Sequence, residues 1–333
     1  MSDRNVRGAS TSVGYVVRRF GQAVFVLWAA FTVSFLILYA LPSDPVALMT
    51  GGQSNDFTPA QLDELRHQFG LDRPLFGQYI DRLGDALRGD LGRSLQSGRP
   101  VTTLIAESLP ATAQITGIAL LLAVIVGSTV AIVATTSRRR RLSQFLLGLP
   151  PLGVAVPSFW IGLLLLQQFS FHWQLVPALG NEGWRSLVLP AITLAIPAGA
   201  MIAQVLAKSL RTTLREPYID TARAKGASPM RVQMRHAVRN ACLPALTIAG
   251  VVIGGLLSGS VVVETVFSRT GLGRLTSASV SAQDVPVVQG LVLLGAAVFV
   301  TVNLVVDLLY PLLDPRIVRA KPTARKHIAA AAA

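Results

Sequence analysis

Six stretches of this chain are too long and too apolar to be the core helices of a soluble domain. They lie near 19–41, 112–135, 144–169, 187–207, 244–266 and 286–310. Each lacks Lys and Arg through its middle, where one such charge costs about 2.5–3.5 kcal/mol on an insertion scale. A hydrocarbon core ~30 Å thick needs about 20 helical residues rising ~1.5 Å each. Buried helices of soluble proteins carry apolar runs of roughly 10–14 residues, too short to account for these. Charged residues make up 14% of the 333 residues and hydrophobic ones 51%, where soluble domains carry roughly 25% charge. The expected fold is an all-α membrane protein with six transmembrane helices.

The net charge of +13 would suit a nucleic-acid binder, but its placement does not. With the N-terminus inside, the inner segments hold 21 of the 30 Lys and Arg, in clusters at 4–19, 138–141, 208–239 and 316–326. The outer segments hold the other 9, offset by 12 acids such as Asp63, Glu64, Asp72, Asp81, Asp85 and Asp90. That alternation is the positive-inside pattern, and it puts both termini in the cytosol. Nucleic acid is therefore excluded as a partner. The apolar part of the first run, Ala23 to Leu41, exceeds the 7–15 residues of a signal-peptide core and reads as an uncleaved anchor. The single cysteine, Cys242, rules out an intrachain disulfide and a thiolate metal cluster. It reads as a small apolar core residue.

The expected organisation is a cytosolic N-terminus (1–18), a first transmembrane helix (19–41), an extracytoplasmic helical loop (42–111), a five-helix membrane core (112–318) with a cytosolic loop at 211–243, and a disordered tail (319–333). The outer loop carries its own helix signals. Thr58-Pro59-Ala60-Gln61 offers an N-cap, a first-position proline and a capping-box Gln, followed by Leu62, Leu65 and Phe69 on one face and a stop at Gly70. A second amphipathic helix starts at Pro74, with Leu75, Tyr79, Leu83 and Leu87 at four-residue steps. Pro150, Pro151, Pro157, Pro190 and Pro197 interrupt the third and fourth runs. Proline kinks a helix and frees carbonyls that need new partners, which favours a moving pathway over a static anchor. Gln114, Gln167, Gln168, Gln204 and Asn303 are the polar residues within the runs, and no ionisable group stands at mid-run. That weighs against a proton- or sodium-coupled carrier, which keeps intramembrane charges.

The sequence holds no GxxxxGK[ST], HExxH, CxxC or GxSxG, and His67, His172, His236 and His327 are scattered. No enzyme, cofactor or metal site, and no energy source of its own, is expected.

The loop after the fourth run is polar and strongly basic, with Arg211, Arg215, Arg223, Lys225, Arg231, Arg235 and Arg239. Pro217 suits a first helical position and Gly226 a left-handed stop. Ser228-Pro229 restarts a helix, on which Met230, Met234 and Ala237/Val238 mark an apolar face. A basic helix lying on anionic headgroups would need neither the Gly nor Asp220. A rigid helix–turn–helix that docks Ala222 and Ala224 into a partner explains both.

Asp220-Thr221-Ala222-Arg223-Ala224-Lys225-Gly226 resembles the cytosolic motif of the permease subunits of bacterial ATP-binding-cassette importers, in the dipeptide/oligopeptide branch. That motif runs acidic residue, Ala-Ala, three residues, Gly. Here Asp replaces Glu, Thr221 replaces the first Ala, and Leu243-Pro244 takes the role of the later hydrophobic-x-Leu-Pro. The resemblance extends through "FGLDRPLFGQY" at 69–79, "GDLGRSL" at 89–95, "PVTTLIAESLPAT" at 100–112, "VPSFWIGLLL" at 156–165, "VETVFSRTGLGRL" at 263–275 and "VDLLYPLLDPRI" at 306–317. It implies a type I importer permease in a bacterial inner membrane, paired with a second permease as a heterodimer. It also implies two cytosolic ATP-binding subunits or one fused ATPase, an extracytoplasmic substrate-binding protein, and surrounding lipid. ATPase coupling would fall to Asp220, Thr221, Ala222, Arg223, Ala224, Lys225 and Gly226, with Ser228 and Pro229. Gln204, Glu264, Arg269, Gly271 and Gly273 are candidate pathway or gate residues, the glycines as turn formers in an outer-face or re-entrant segment. Peptides are the expected cargo; nickel chelates, glutathione and other small solutes share the architecture. A secondary transporter and a membrane anchor are the rival classes.

Overall fold

The computed structural model describes the backbone of residues 3–39 and 74–313 and the side chains of 17–39 and 74–308. The helix start at Thr58, the first outer helix and the tail from 319 lie outside these residues. Apart from an isolated bridge between Arg93 and Pro100, the described chain is helical. We number its helices α1 (Asp3–Tyr39), α2 (Leu75–Leu87), α3 (Val101–Thr136), α4 (Arg140–Ala155), α5 (Ser158–Leu165), α6 (Val188–Thr213), α7 (Pro217–Ala224), α8 (Pro229–Arg231), α9 (Val238–Thr247), α10 (Ala249–Val266), α11 (Leu272–Ser281) and α12 (Val285–Leu313).

Five of the apolar runs form helices long enough to cross a membrane, and the third run supplies the sixth span as a bent pair, α4 and α5, meeting at 102°. The bend follows from Pro157. A residue before proline is pushed out of the helical region, and Val156 is extended at φ −81°, ψ 127°. Pro157 is extended too, at ψ 133°, and α5 restarts at Ser158, passing into a π-helical turn at Leu166–His172. Pro150 and Pro151 sit inside α4 without ending it. The second run is longer than its apolar part suggests, because Pro100 opens α3 at Val101.

Helix α6 is the axis of the bundle: 67% of its spanning stretch is buried within the chain, against 6% for α12. It is enclosed mainly by α3, which presents Ile115, Ala119, Ala123, Gly127 and Ala131 at four-residue steps, all buried. Membrane helices gain little from apolar burial against lipid and associate where small residues let backbones approach. A Cβ on Gly127 would stand 2.5 Å from the Gly199 carbonyl oxygen, and one on Gly199 would stand 3.3 Å from the Ala123 backbone. Along α3 three apolar clusters follow in order. Val101 and Ile105 join Leu272, Val287 and Leu291 at one end. Ile115, Ala119 and Ala123 join Leu194, Val252 and Leu256 in the middle. Ala131 joins Leu206, Leu210, Ile219 and Val232 at the other end.

The amphipathic helix expected from Pro74 is α2. It lies on α1, where Tyr79 packs between Phe31 and Phe35 at centroid distances of 5.7 and 5.4 Å and its hydroxyl is 3.0 Å from Thr32 Oγ1. Helix α1 in turn lies on α12, with Arg19 and Asp307 paired at 3.1 Å.

Candidate functional site

The basic loop folds as the turn residues require. Pro217 opens α7. Gly226 takes φ +80°, inside the left-handed region. The Gly226 amide donates to Arg223 O (2.9 Å) and the Ala227 amide to Ala222 O (3.2 Å), closing the helix in the manner of a Schellman cap. Ser228 Oγ then accepts from the Arg231 amide at 3.4 Å and caps α8. A π-helical segment, Val232–Ala237, carries the chain into α9.

That segment changes the expected apolar face. Met230 and Met234 are more than half and half exposed, 59% and 50%. Val232, Gln233, Ala237 and Ala241 face the bundle instead. Spacing at α-helical steps puts Met230 and Met234 inward, and the wider π turn rotates the inward face by about a residue.

Two contacts fasten this hairpin to the bundle, and a third closes α7 on the hairpin's own second half and α9. Ile219 is fully buried among Leu206, Leu210 and Val232. The buried Gln233 amide donates to Ile132 O (3.1 Å) and Thr135 Oγ1 (2.8 Å) on α3. Tyr218 donates to His236 O (3.2 Å) and accepts from the Asn240 amide (2.9 Å). The residues that the sequence singled out lie on the opposite side. Asp220, Thr221, Arg223, Ala224, Lys225, Gly226, Ser228 and Pro229 are exposed, and Ala222 is half-buried. Asp220 is engaged by Arg223 at 3.1 Å. The hairpin is thus a stiff element with one face packed on α3 and α6 and the other free. Burial pushes the nearby Cys242 thiol above its usual range, which suits its reading as an inert packing residue.

Four of the candidate gate residues meet at the other end of the bundle. The Glu264 carboxylate is fully buried. It accepts from Thr112 Oγ1 of α3 and from the Arg274 amide at 3.0 Å. Thr112 Oγ1 also accepts from the Leu272 amide at 2.8 Å. Arg269, 1% exposed, donates to Gly180 O (3.0 Å), Ser186 O (3.2 Å) and Ser186 Oγ (3.1 Å), while its Nε is buried without a partner. Burial draws the Arg269 guanidinium below its usual range and the Glu264 charge opposes this. Together they tie α10 and α11 to α3 and to the strand of chain entering α6. The glycines are not turn formers. Gly271 is extended at φ −132°, and Gly273 has no positive φ. Both make room: a Cβ on Gly271 would lie 2.5 Å from the Glu264 carboxylate, and one on Gly273 2.6 Å from the Val261 backbone.

Glu264→Gln can keep its oxygen on the Arg274 amide and turn its amide nitrogen to the second lone pair of Thr112 Oγ1, whereas Glu264→Leu leaves the Arg274 amide unpaired. An unsatisfied buried group costs about 1–3 kcal/mol. The expected result is a lower Tm of the detergent-purified protein for Glu264→Leu, with Glu264→Gln losing less and Asp85→Asn, on the half-exposed last turn of α2, losing little.

Gln204 stands apart from this cluster. It is exposed on α6 and faces a cleft beside the hairpin, with Lys208, Arg211 and Arg215. Sequence reasoning missed Ile219, Gln233 and the buried Asp284, which accepts from Ser94 Oγ and from the Leu95 amide at 3.0 Å. Ile219 could have been suspected as the one large aliphatic residue in the polar stretch 215–225. Gln233 and Asp284 carry no local signal, because their partners are 101 and 190 residues away.

Residues 119–319 match the family described as binding-protein-dependent transport system inner membrane component, and residues 12–116 match its N-terminal companion. The chain belongs to this family of importer permeases. The permease is 38% identical over 306 residues to the glutathione transport system permease protein GsiC of Escherichia coli K12, covering 92% of this chain and 99% of that one. It is 37% identical to its counterpart in Shigella flexneri serotype 5b, with the same coverage. Among solved structures it is similar to an inward-facing MetNI methionine ABC transporter (TM-score 0.48, 16% identity, 65% of this chain and 95% of that one). It is also similar to an amino acid ABC transporter crystallised with histidines (TM-score 0.47, 18% identity, 65% and 94%). The permease is therefore a membrane-embedded subunit of an ATP-binding-cassette importer of the dipeptide/oligopeptide type, in the bacterial inner membrane. It is a transport component, with ATP hydrolysis carried by separate subunits, and the secondary-carrier and anchor readings fall away.

Proposed function

We propose that this permease forms half of the translocation pathway for short peptides and peptide-like solutes, glutathione among them, as a heterodimer with a second permease. The observation that carries the cargo class is the near full-length match to glutathione permeases, 38% identical across 92% of the chain. Glutathione is itself a tripeptide in chemistry, so it falls within the peptide class read from the sequence. An external binding protein delivers the cargo and two ATPase subunits, or one fused ATPase, drive its passage.

In this reading the hairpin 217–237 is the coupling element. Its exposed α7 and Gly226 turn sit in a cleft of an ATPase, and Ile219 and Gln233 pass the resulting displacement to α6 and α3. The Glu264–Arg269 cluster holds the outer ends of α3, α10 and α11 as one block, so motion at the inner end becomes rotation of the whole block rather than local yielding. The termini and residues 138–141 are cytosolic, and α2 lies outside.

Two experiments test this. Proteoliposomes holding the complete importer, loaded with ATP, should accumulate labelled glutathione or a labelled tripeptide when its binding protein is added outside. Failure with both would remove the cargo assignment. In a Cys242→Ala background, a membrane-impermeant thiol reagent applied to whole spheroplasts should label Phe76→Cys and spare Arg140→Cys. The reverse pattern would invert the topology.

A further inference from the structure

The cleft between α4 and α6 has a volume of about 590 Å³, within the roughly 300–1,000 Å³ of small-ligand pockets. Leu147 and Pro150 give it one apolar wall, and Gln204, Lys208, Arg211, Arg215 and Glu216 give it a polar one. Gln204, Lys208 and Arg211 follow at i, i+4 and i+7 and so share one face of α6, and Arg215 continues that face in the turn after it. All four are exposed. Among the described residues, no carboxylate lies within ion-pair distance of Lys208, Arg211 or Arg215. On the hairpin itself, by contrast, Arg223 is paired with Asp220. The positive-inside bias asks for cations in an inner segment. It does not ask for three on one helical face, beside a cavity with an amide one turn deeper.

We propose that this cleft is a carboxylate-binding exit site, where anionic cargo rests on Lys208, Arg211 and Arg215 before release to the cytosol. The guanidinium forks suit bidentate contact with a carboxylate, and Lys208 adds a point charge. Gln204 offers its amide to a peptide carbonyl or amide, and the Leu147–Pro150 wall takes the apolar part of the cargo. Glu216, at the rim, suits the ammonium that peptides and glutathione also carry. The site adjoins the root of the hairpin, so displacement of the hairpin moves the cations and can discharge the ligand. The proposal rests on the cargo reading above and deepens it to solutes with a free carboxylate.

The test uses the whole importer in nanodiscs of phosphatidylcholine, without ATP or binding protein, and equilibrium dialysis with labelled reduced glutathione. Saturable binding is expected. The diethyl ester, whose carboxylates are masked, should compete poorly. The triple variant Lys208→Gln/Arg211→Gln/Arg215→Gln should weaken binding roughly tenfold or more, as loss of charged hydrogen bonds predicts. Absence of saturable binding, equal competition by the ester, or an unaffected triple variant overturns the proposal. Nanodiscs containing phosphatidylglycerol separate the two sources of anion: displacement of glutathione by that lipid would make the cleft a headgroup site and likewise overturn it. ATP-driven uptake by the same importer reconstituted into ATP-loaded proteoliposomes keeps the two readings distinct. Uptake without binding at the cleft removes only the exit site, and no uptake of glutathione or tripeptide by the wild type removes the cargo assignment.

Discussion

Gly226→Val should lower ATP-driven uptake by roughly tenfold or more while the importer still assembles and hydrolyses ATP at its basal rate. Space is not the obstacle, since a Cβ at this position would meet no atom within 4 Å. The backbone is. Gly226 sits at φ +80°, which costs an L-residue about 1–2 kcal/mol and a β-branched one more. Each 1.4 kcal/mol is a factor of ten in an equilibrium. Valine therefore drives the turn toward another geometry, which breaks the Ala227–Ala222 bond and re-aims α7. The hairpin stays docked, because Ile219, Val232 and Gln233 hold it from the far side. Gly226→Asn supplies the control: asparagine tolerates the left-handed region, so uptake should stay within about twofold of wild type. If valine and asparagine behave alike, the turn geometry plays no part in coupling.

Gly273→Val should produce a large loss of stability. Its side chain would meet the Ser260 carbonyl and the Val261 backbone at 2.6–2.7 Å, and backbone of α10 cannot swing aside as a side chain can. Overpacking alone costs about 1–3 kcal/mol. Displacing the start of α11 also withdraws the Arg274 and Leu272 amides from Glu264 and Thr112, adding about 1–3 kcal/mol for a buried group left unpaired. The expected outcome is a large fall in Tm in detergent and little folded protein in the membrane. Gly255→Ala, where the added methyl meets nothing within 4 Å, should leave Tm unchanged or raise it, since Gly weakens a helix interior. Equal Tm for Gly273→Val and wild type would mean that α10 and α11 do not pack as described.

The two glycines also show what a sequence can and cannot disclose. Gly226 was legible because a left-handed stop between a helix and a Ser-Pro restart is a local signature, readable within ten residues. Gly271 and Gly273 read as turn formers in the sequence, because their close approach to Glu264 and to the Ser260–Val261 backbone depends on how the chain folds back on α10. The spans were legible from length and charge, and Pro157 announced a break, yet the 102° turn between α4 and α5 depends on Val156 and Pro157 both being extended. The hairpin's apolar face was misplaced onto Met230 and Met234, since no composition rule announces a π turn. Gln204 was legible as a lone amide in an apolar run. Its grouping with Glu264 and Arg269 was not, because shared polarity does not imply a shared end of the bundle.

The central claim, that an ATPase seats on the exposed face of α7, is tested most directly by cross-linking in the assembled importer. Ala224→Cys in a Cys242→Ala background places one thiol on that face, and a short bifunctional reagent should link it to an ATPase subunit. ATP with vanadate should change the yield. A complex that copurifies with its ATPases but gives no such link from residue 224, while exposed Arg139→Cys on the neighbouring loop does link, would contradict the account.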